Sequence, residues 1–361
     1  MYGGQRNRSR RPAQDCRVIG PRRRTSLSLL AATLIASLAA AAALPGCGER
    51  QPDRGGRGTA ELELLLDFFP NADHAPIYAA KSNRHFEKLG LDVTIRAPSD
   101  PAAPIREVAA GRVDIAISYE PEVFRARDQG LPVVAVGALV QEPLTSIVSL
   151  PEGGVEQPAD LAGKRVGTAG IDYQAAYLDA IAQRARIDPT SVEQQDVGFN
   201  LSQALLSGQV DAVLGAFWNY EGTDLRLSGR DPRIIRVEDA GIPTYDELVF
   251  VANEDALAEN RGLIQSFIAA VGRGAADLRA DPQAGVDALT EANPDLEPEL
   301  QREVVDVTLP LFAPPKEKPY GWQDPRQWTR FGRFLKQRGI IGEPPAAREA
   351  FTNELLPGAG L

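Results

Sequence analysis

Four short segments collect the residue types that hold a flat, nitrogen-bearing ring. They read Phe68-Phe69-Pro70-Asn71-Ala72-Asp73-His74, Ser118-Tyr119-Glu120-Pro121-Glu122, Thr168-Ala169-Gly170-Ile171-Asp172-Tyr173 and Gly215-Ala216-Phe217-Trp218-Asn219-Tyr220-Glu221. Phe69, Tyr119, Tyr173, Trp218 and Tyr220 offer faces for stacking. Asn71, His74 and Asn219 offer hydrogen-bonding tips, and Glu120 and Glu221 offer acceptors for amino and ring N–H donors. Basic residues are scarce in these segments, which disfavours a phosphorylated or strongly anionic ligand. Gly170 still leaves room for a backbone N–H at a helix start to meet an anion. Some of these side chains have a second reading. Phe68 and Phe69 serve either a ligand or the core beside a strand. His74 either touches a ligand or satisfies the helix after it. Trp218 is either a stacking face or a wedge between lobes. Asp114 and Asp211 follow a turn and serve that turn. His85 falls late in a helix and reads as a surface residue.

Each segment follows a strand, and in open α/β sheets ligands bind beyond the carboxyl ends of strands. Glu61 to Asp67 reads as a buried first strand, 75–89 as a helix stopped by Gly90, and Leu91 to Ala97 as a second strand. This β-α-β order implies a parallel, helix-covered sheet. The chain also echoes itself. Residues 106–117 (REVAAGRVDIAI) and 203–214 (QALLSGQVDAVL) both run from a short helix through Gly-x-Val-Asp into an apolar strand. Two copies indicate two α/β lobes of similar build. Thr145 to Leu150 and Glu247 to Ala252 read as the two crossings between them. The first lobe is then 60–148 with 250–361, and the second is 149–249. Residues 263–305 are helical in composition, and Asp324-Pro325 opens a last helix with Trp328, Phe331 and Leu335 on one face.

The amino terminus carries an address rather than a fold. Eight arginines precede an apolar run from Leu27 to Leu44, which ends in Leu44-Pro45-Gly46-Cys47. A basic stretch, an apolar stretch and a small-residue cleavage site make residues 1–46 a signal peptide of the lipoprotein kind. Cys47 is the expected lipidation site, and 47–59 a flexible tether. The competing reading is an uncleaved membrane anchor, for which the run is barely long enough. Residues 1–46 hold eight Arg and one Asp, so their removal takes the formal charge from −10 to −17. An acidic mature chain argues against nucleic acid. Cys16 and Cys47 are the two cysteines, and His74 and His85 the two histidines, so neither a disulfide framework nor a metal centre is expected.

At these loops the sequence resembles a known family. LDFFPNADHAPIYAA, FEKLGLDVTI, GRVDIAISYEPEV, GKRVGTAG and GAFWNYEG look like the substrate-binding proteins related to thiamine-pyrimidine proteins, with sulfonate-binding proteins as more distant relatives. The resemblance implies a type II periplasmic-binding-protein fold. It implies a receptor for an ABC importer, with permease and ATPase subunits as partners; together with the lipoprotein signal, the expectation is an extracytoplasmic, lipid-anchored monomer with no cofactor. The ligand it implies is a pyrimidine precursor of thiamine. Riboflavin, or another aromatic heterocycle, is the alternative that the aromatic loops leave open. It carries ligand contacts onto Phe69, Asn71, His74, Glu120 and the 218–221 segment. The same family contains an iron-dependent enzyme that builds the pyrimidine from its own histidine and pyridoxal phosphate. That enzyme's cysteine-rich iron motif has no counterpart here, so binding without catalysis is expected.

Overall fold

The computed structural model describes residues 59–343 and 347–358. The Leu27–Leu44 run and Cys47 lie outside the described residues. Ten strands follow one another as β1 (Ala60–Leu65), β2 (Leu91–Arg96), β3 (Ile115–Ser118), β4 (Val133–Val140), β5 (Thr145–Ser149), β6 (Arg165–Thr168), β7 (Glu193–Asp196), β8 (Ala212–Phe217), β9 (Arg233–Arg236) and β10 (Leu248–Asn253). They form two five-stranded sheets, ordered β2-β1-β3-β10-β4 and β7-β6-β8-β5-β9. In each sheet three strands run parallel and a fourth pairs antiparallel beside them. Apolar residues such as Leu64, Ile115, Ile117, Val166 and Val213 are fully buried, as strands covered by helices on both faces require.

The internal echo is a structural one. Asp114 Oδ2 accepts the backbone N–H of Glu63 at 2.7 Å, and Asp211 Oδ2 accepts that of Arg165 at 2.8 Å. In both sheets the Asp of Gly-x-Val-Asp thus ties its strand's entrance to the neighbouring parallel strand, β1 or β6. Both glycines that stop the preceding helices, Gly111 and Gly208, have the left-handed backbone that glycine adopts without a steric cost.

Two expectations need correction. Thr145–Ser149 and Leu248–Asn253 are not crossings. The first pairs with β8 and β9 inside the second sheet, the second with β3 and β4 inside the first. The chain crosses instead over 141–144 and 237–247, so the boundaries expected at 148/149 and 249/250 fall inside strands. A β-rich composition does not say which sheet a strand joins, so it does not separate a crossing from a sheet member. The helix expected over 75–89 also breaks. Arg84 takes a left-handed backbone between the helices Ala75–Ser82 and His85–Lys88. Asp277 holds the break, accepting Asn83 Nδ2 at 2.7 Å and meeting His85 Nε2 at 2.6 Å.

The C-terminal part is helical, as its composition indicates. Glu254–Ala280, Pro282–Ala292 and Pro298–Thr308 follow one another, two of them opened by proline at the first position. Asp324 caps the helix Pro325–Gln337 by accepting the N–H of Arg326, and Trp328, Phe331 and Leu335 are fully buried along it. Among the described residues, no helix is long and apolar enough to cross a membrane.

Candidate functional site

The carboxyl ends of β1, β3, β6 and β8 meet around one narrow space. Asp67, Phe68, Asn71, Asp73, Pro101 and Tyr119 line it from the side of the first sheet. Ala169, Ile171, Tyr173, Gln174, Leu201, Gly215, Phe217, Tyr220 and Glu221 line it from the side of the second.

The first loop is built around buried polar groups. Asn71 caps the short turn Ala72–His74: its Oδ1 accepts the Asp73 N–H at 2.8 Å, and its Nδ2 donates to Phe69 O at 3.0 Å. His74 is fully buried, and its Nδ1 accepts the Asn71 N–H at 3.2 Å. That bond leaves the proton on Nε2, 2.9 Å from Asp67 Oδ1. The second oxygen of Asp67 accepts the Tyr119 hydroxyl at 2.9 Å. Asp67 is thus fixed from both sides at the floor of the slot. Tyr119 faces Tyr173 across it, with ring centroids 5.9 Å apart.

Two further carboxylates sit in the lining. Burial pushes Asp73 up to about 7, a rise reinforced by Asp67 and Glu221 and opposed by His74 and Asn219. Its Oδ1 accepts Asn219 Nδ2 at 2.6 Å, whereas its Oδ2 is buried without a hydrogen-bond partner. Glu221 opens the helix Glu221–Leu227 and accepts the Phe217 N–H at 2.7 Å. Burial pushes it up to about 7 as well. Asp67, Asp73 and Glu221 therefore converge on one slot whose lining contains no Lys, Arg or His. The unpartnered Asp73 oxygen beside aromatic faces suits a flat molecule that brings an N–H donor or positive charge. Among the described residues, no group of three or more His, Cys, Asp or Glu is arranged to hold a metal ion.

Of the sequence candidates, Asn71, Tyr119, Tyr173, Tyr220 and Glu221 line the space, and six others do not. Phe69 is half exposed and not in the lining, its ring tilted against that of Phe199 with centroids 4.6 Å apart. Phe68 is the one that lines the slot. His74 lies behind Asp67 and orients it. Glu120 is fully buried at the crossing, where its Oε2 accepts the Asp246 N–H at 2.7 Å. Gly170 has the Asp196 carboxylate packed 2.6 Å from where a side chain would begin, so an anion is repelled there rather than held. Trp218 turns away from the slot. Its Nε1 donates to Pro143 O at 3.2 Å, and Arg236 covers its ring at 4.1 Å, so it wedges the first crossing. Asn219 reaches the site only through Asp73, donating also to Thr308 Oγ1 at 2.7 Å.

Asp67, Asp73, Gln174 and Phe217 escaped the sequence reading. Asp67 and Asp73 carried a signal: each is a charge within a segment otherwise poised for burial. Gln174 carried none. Its Oε1 accepts the Ala169 N–H at 2.8 Å, and its Nε2 lies 2.3 Å from where a Gly215 side chain would start. Gly215, at φ +109°, leaves that room.

The NMT1/THI5 like family model matches residues 71–285. A formylaminopyrimidine-binding protein of Halalkalibacterium halodurans is 34% identical over 296 residues, 81% of this chain and 89% of that protein. A putative thiamine biosynthesis protein of Haemophilus influenzae is 34% identical over 290 residues, 80% of this chain and 90% of that protein. Among solved structures, the alkanesulfonate-binding protein SsuA from Xanthomonas axonopodis pv. citri superposes with a TM-score of 0.63 at 18% identity, covering 82% of this chain and 99% of that one. The fold is that of the periplasmic binding proteins.

Proposed function

The chain belongs to the NMT1/THI5-like family, and from that premise we propose that it is the solute-binding component of an ABC importer. Its ligand is a thiamine pyrimidine precursor of the hydroxymethyl- or formyl-aminopyrimidine type. The observation that carries this reading is the slot itself: aromatic walls, three carboxylates and no cationic side chain in the lining. An aminopyrimidine supplies the matching flat ring and N–H donors. The 34% identity to a formylaminopyrimidine-binding protein supports the same ligand class.

The two sheets with their helices act as lobes that close on the ligand, with 141–144 and 237–247 as the hinge. The protein binds and releases its ligand unchanged. It works as a monomer outside the cytoplasmic membrane and hands the ligand to permease and ATPase subunits.

Calorimetry is expected to show one-to-one binding of the hydroxymethyl- or formyl-aminopyrimidine. Incubation with pyridoxal phosphate and iron(II) under air is expected to leave His74 intact in peptide mass spectra. Tighter binding of riboflavin than of either pyrimidine would replace the ligand class. Loss of His74 with release of a pyrimidine would make the protein an enzyme.

Attachment to the membrane through lipid on Cys47 is part of the same proposal. It is supported by the basic stretch and apolar run that precede this residue. Cys47→Ser is expected to move the protein from the membrane fraction to the soluble one. A variant that stays in membranes, with no lipid on the wild type, points to a plain anchor.

A further inference from the structure

We propose that Asp73 couples ligand recognition to closure of the cleft, one carboxylate oxygen holding Asn219 across the cleft and the other accepting an N–H of the ligand. The inference rests on the proposed binding role of this slot. Asp73 belongs to the loop after β1, in the first sheet, and Asn219 to the loop after β8, in the second. The bond between them, Oδ1 to Nδ2 at 2.6 Å, therefore bridges the two sides of the cleft. Thr308, on the helix Pro298–Thr308, backs it by accepting the other proton of the same amide at 2.7 Å. Asp73 is 1% exposed, yet its Oδ2 has no hydrogen-bond partner. An ionisable oxygen buried without a partner is costly, and folding normally supplies one. Here the residue borders the slot, so a ligand N–H placed there completes it.

The surroundings narrow what that donor is. Asp67 and Glu221 lie close enough to repel a negative charge on Asp73, and no cationic side chain lines the slot. A ligand carboxylate or phosphate is excluded. An amino group or a protonated ring nitrogen is favoured, because it satisfies the free oxygen and relieves the repulsion. The ligand then strengthens the carboxylate that holds Asn219, and the bridge orients the carboxylate that reads the ligand. Recognition and closure share one side chain.

Asp73→Asn places an amide N–H where the ligand's donor must sit, while its remaining oxygen can still accept from Asn219. Two probes test it by calorimetry: the hydroxymethyl-aminopyrimidine, and its analogue with hydrogen in place of the amino group. The variant is expected to lose about tenfold or more in affinity for the amino compound. It should lose less than about threefold for the analogue. Asn219→Ala is expected to weaken both compounds equally and to increase the radius of gyration of the ligand-free protein in solution scattering. Equal losses of both compounds in Asp73→Asn would overturn the ligand contact. Unchanged scattering of Asn219→Ala would overturn the bridge. Wild-type protein that binds neither compound refutes the ligand class first, and the acceptor role with it; the scattering of Asn219→Ala still decides the bridge. Thermal unfolding of each variant separates these outcomes from a failure to fold.

Discussion

Glu247→Ala is expected to lower the stability of the protein by about 3–5 kcal/mol, the range for breaking a buried polar network by removing its acceptor. Glu247 is fully buried where the second crossing enters β10. Its Oε2 accepts the N–H of Leu144 at 2.6 Å, the N–H of Thr145 at 2.7 Å and the Tyr245 hydroxyl at 3.1 Å. Its Oε1 accepts the Thr145 hydroxyl at 2.9 Å. One side chain therefore joins the two crossings. Alanine leaves four donors without an acceptor and opens a cavity beside Tyr245. At about 2 °C per kcal/mol for a chain of this size, Tm should fall by roughly 6–10 °C. Glu247→Gln separates charge from geometry. Its carbonyl oxygen can still serve the two backbone N–H groups, and its amide can donate to the Thr145 hydroxyl, so the loss should be nearer 1 kcal/mol. A Tm within a degree of wild type for the alanine variant would show that the crossings are held by something else.

The sequence made the scaffold legible and the direction of its side chains much less so. Periodicity and glycine stops located β1, β2, the echo strands and the helix of Trp328, because those signals are local. The post-strand loops were also legible, because the carboxyl ends of parallel strands are where an open sheet leaves room. Trp218 and Glu120 show where that logic stops. Both stand in such a loop, yet one turns back onto Pro143 and the other onto Asp246, contacts that lie 75 and 126 residues away in the chain. No local pattern encodes such a partner. His74 shows a subtler limit. Its position beside the slot was readable, but its hydrogen bond to Asp67 makes it the support of a lining residue. Asp73 carried a readable signal in its charge, whereas its missing partner shows only in the folded chain.

The same burial makes stability depend on pH in an unusual direction. Melting at pH 5.5 is expected to occur well above melting at pH 8. Burial pushes Asp73, Glu122, Glu221, Asp246 and Glu247 up to about 7. It also holds Glu120, which faces Asp246, well above its ordinary value. In the unfolded chain these carboxyls return to their ordinary values near 4. Between roughly 4 and 7 the folded state therefore holds more protons than the unfolded one. Their stabilisation is fully present below the unfolded values and is lost as pH rises through about 7. From pH 5.5 to pH 7, one such group contributes at most about 2 kcal/mol. Mutual repulsion between Asp73 and Glu221, and the pairing of Glu120 with Asp246, keep the sum below five or six times that. Several kcal/mol, or roughly 5–10 °C in Tm, is the expected gain at pH 5.5. Glu107, Asp160, Asp188 and Asp211 work the other way, because their partners hold them below the usual carboxylate range. Their contribution disappears only in stronger acid, so the rise in stability on acidification ends near pH 4. Thermal unfolding at constant ionic strength across pH 4 to 8 reads the curve directly, and a Tm that is flat or rises toward pH 8 would refute it. Glu122→Gln isolates one term. Its oxygen can still accept the Ser118 hydroxyl that Glu122 accepts at 2.7 Å, but it has no charge to bury. That variant should melt higher than wild type at pH 8 and close to it at pH 5.5, flattening the curve from the alkaline side.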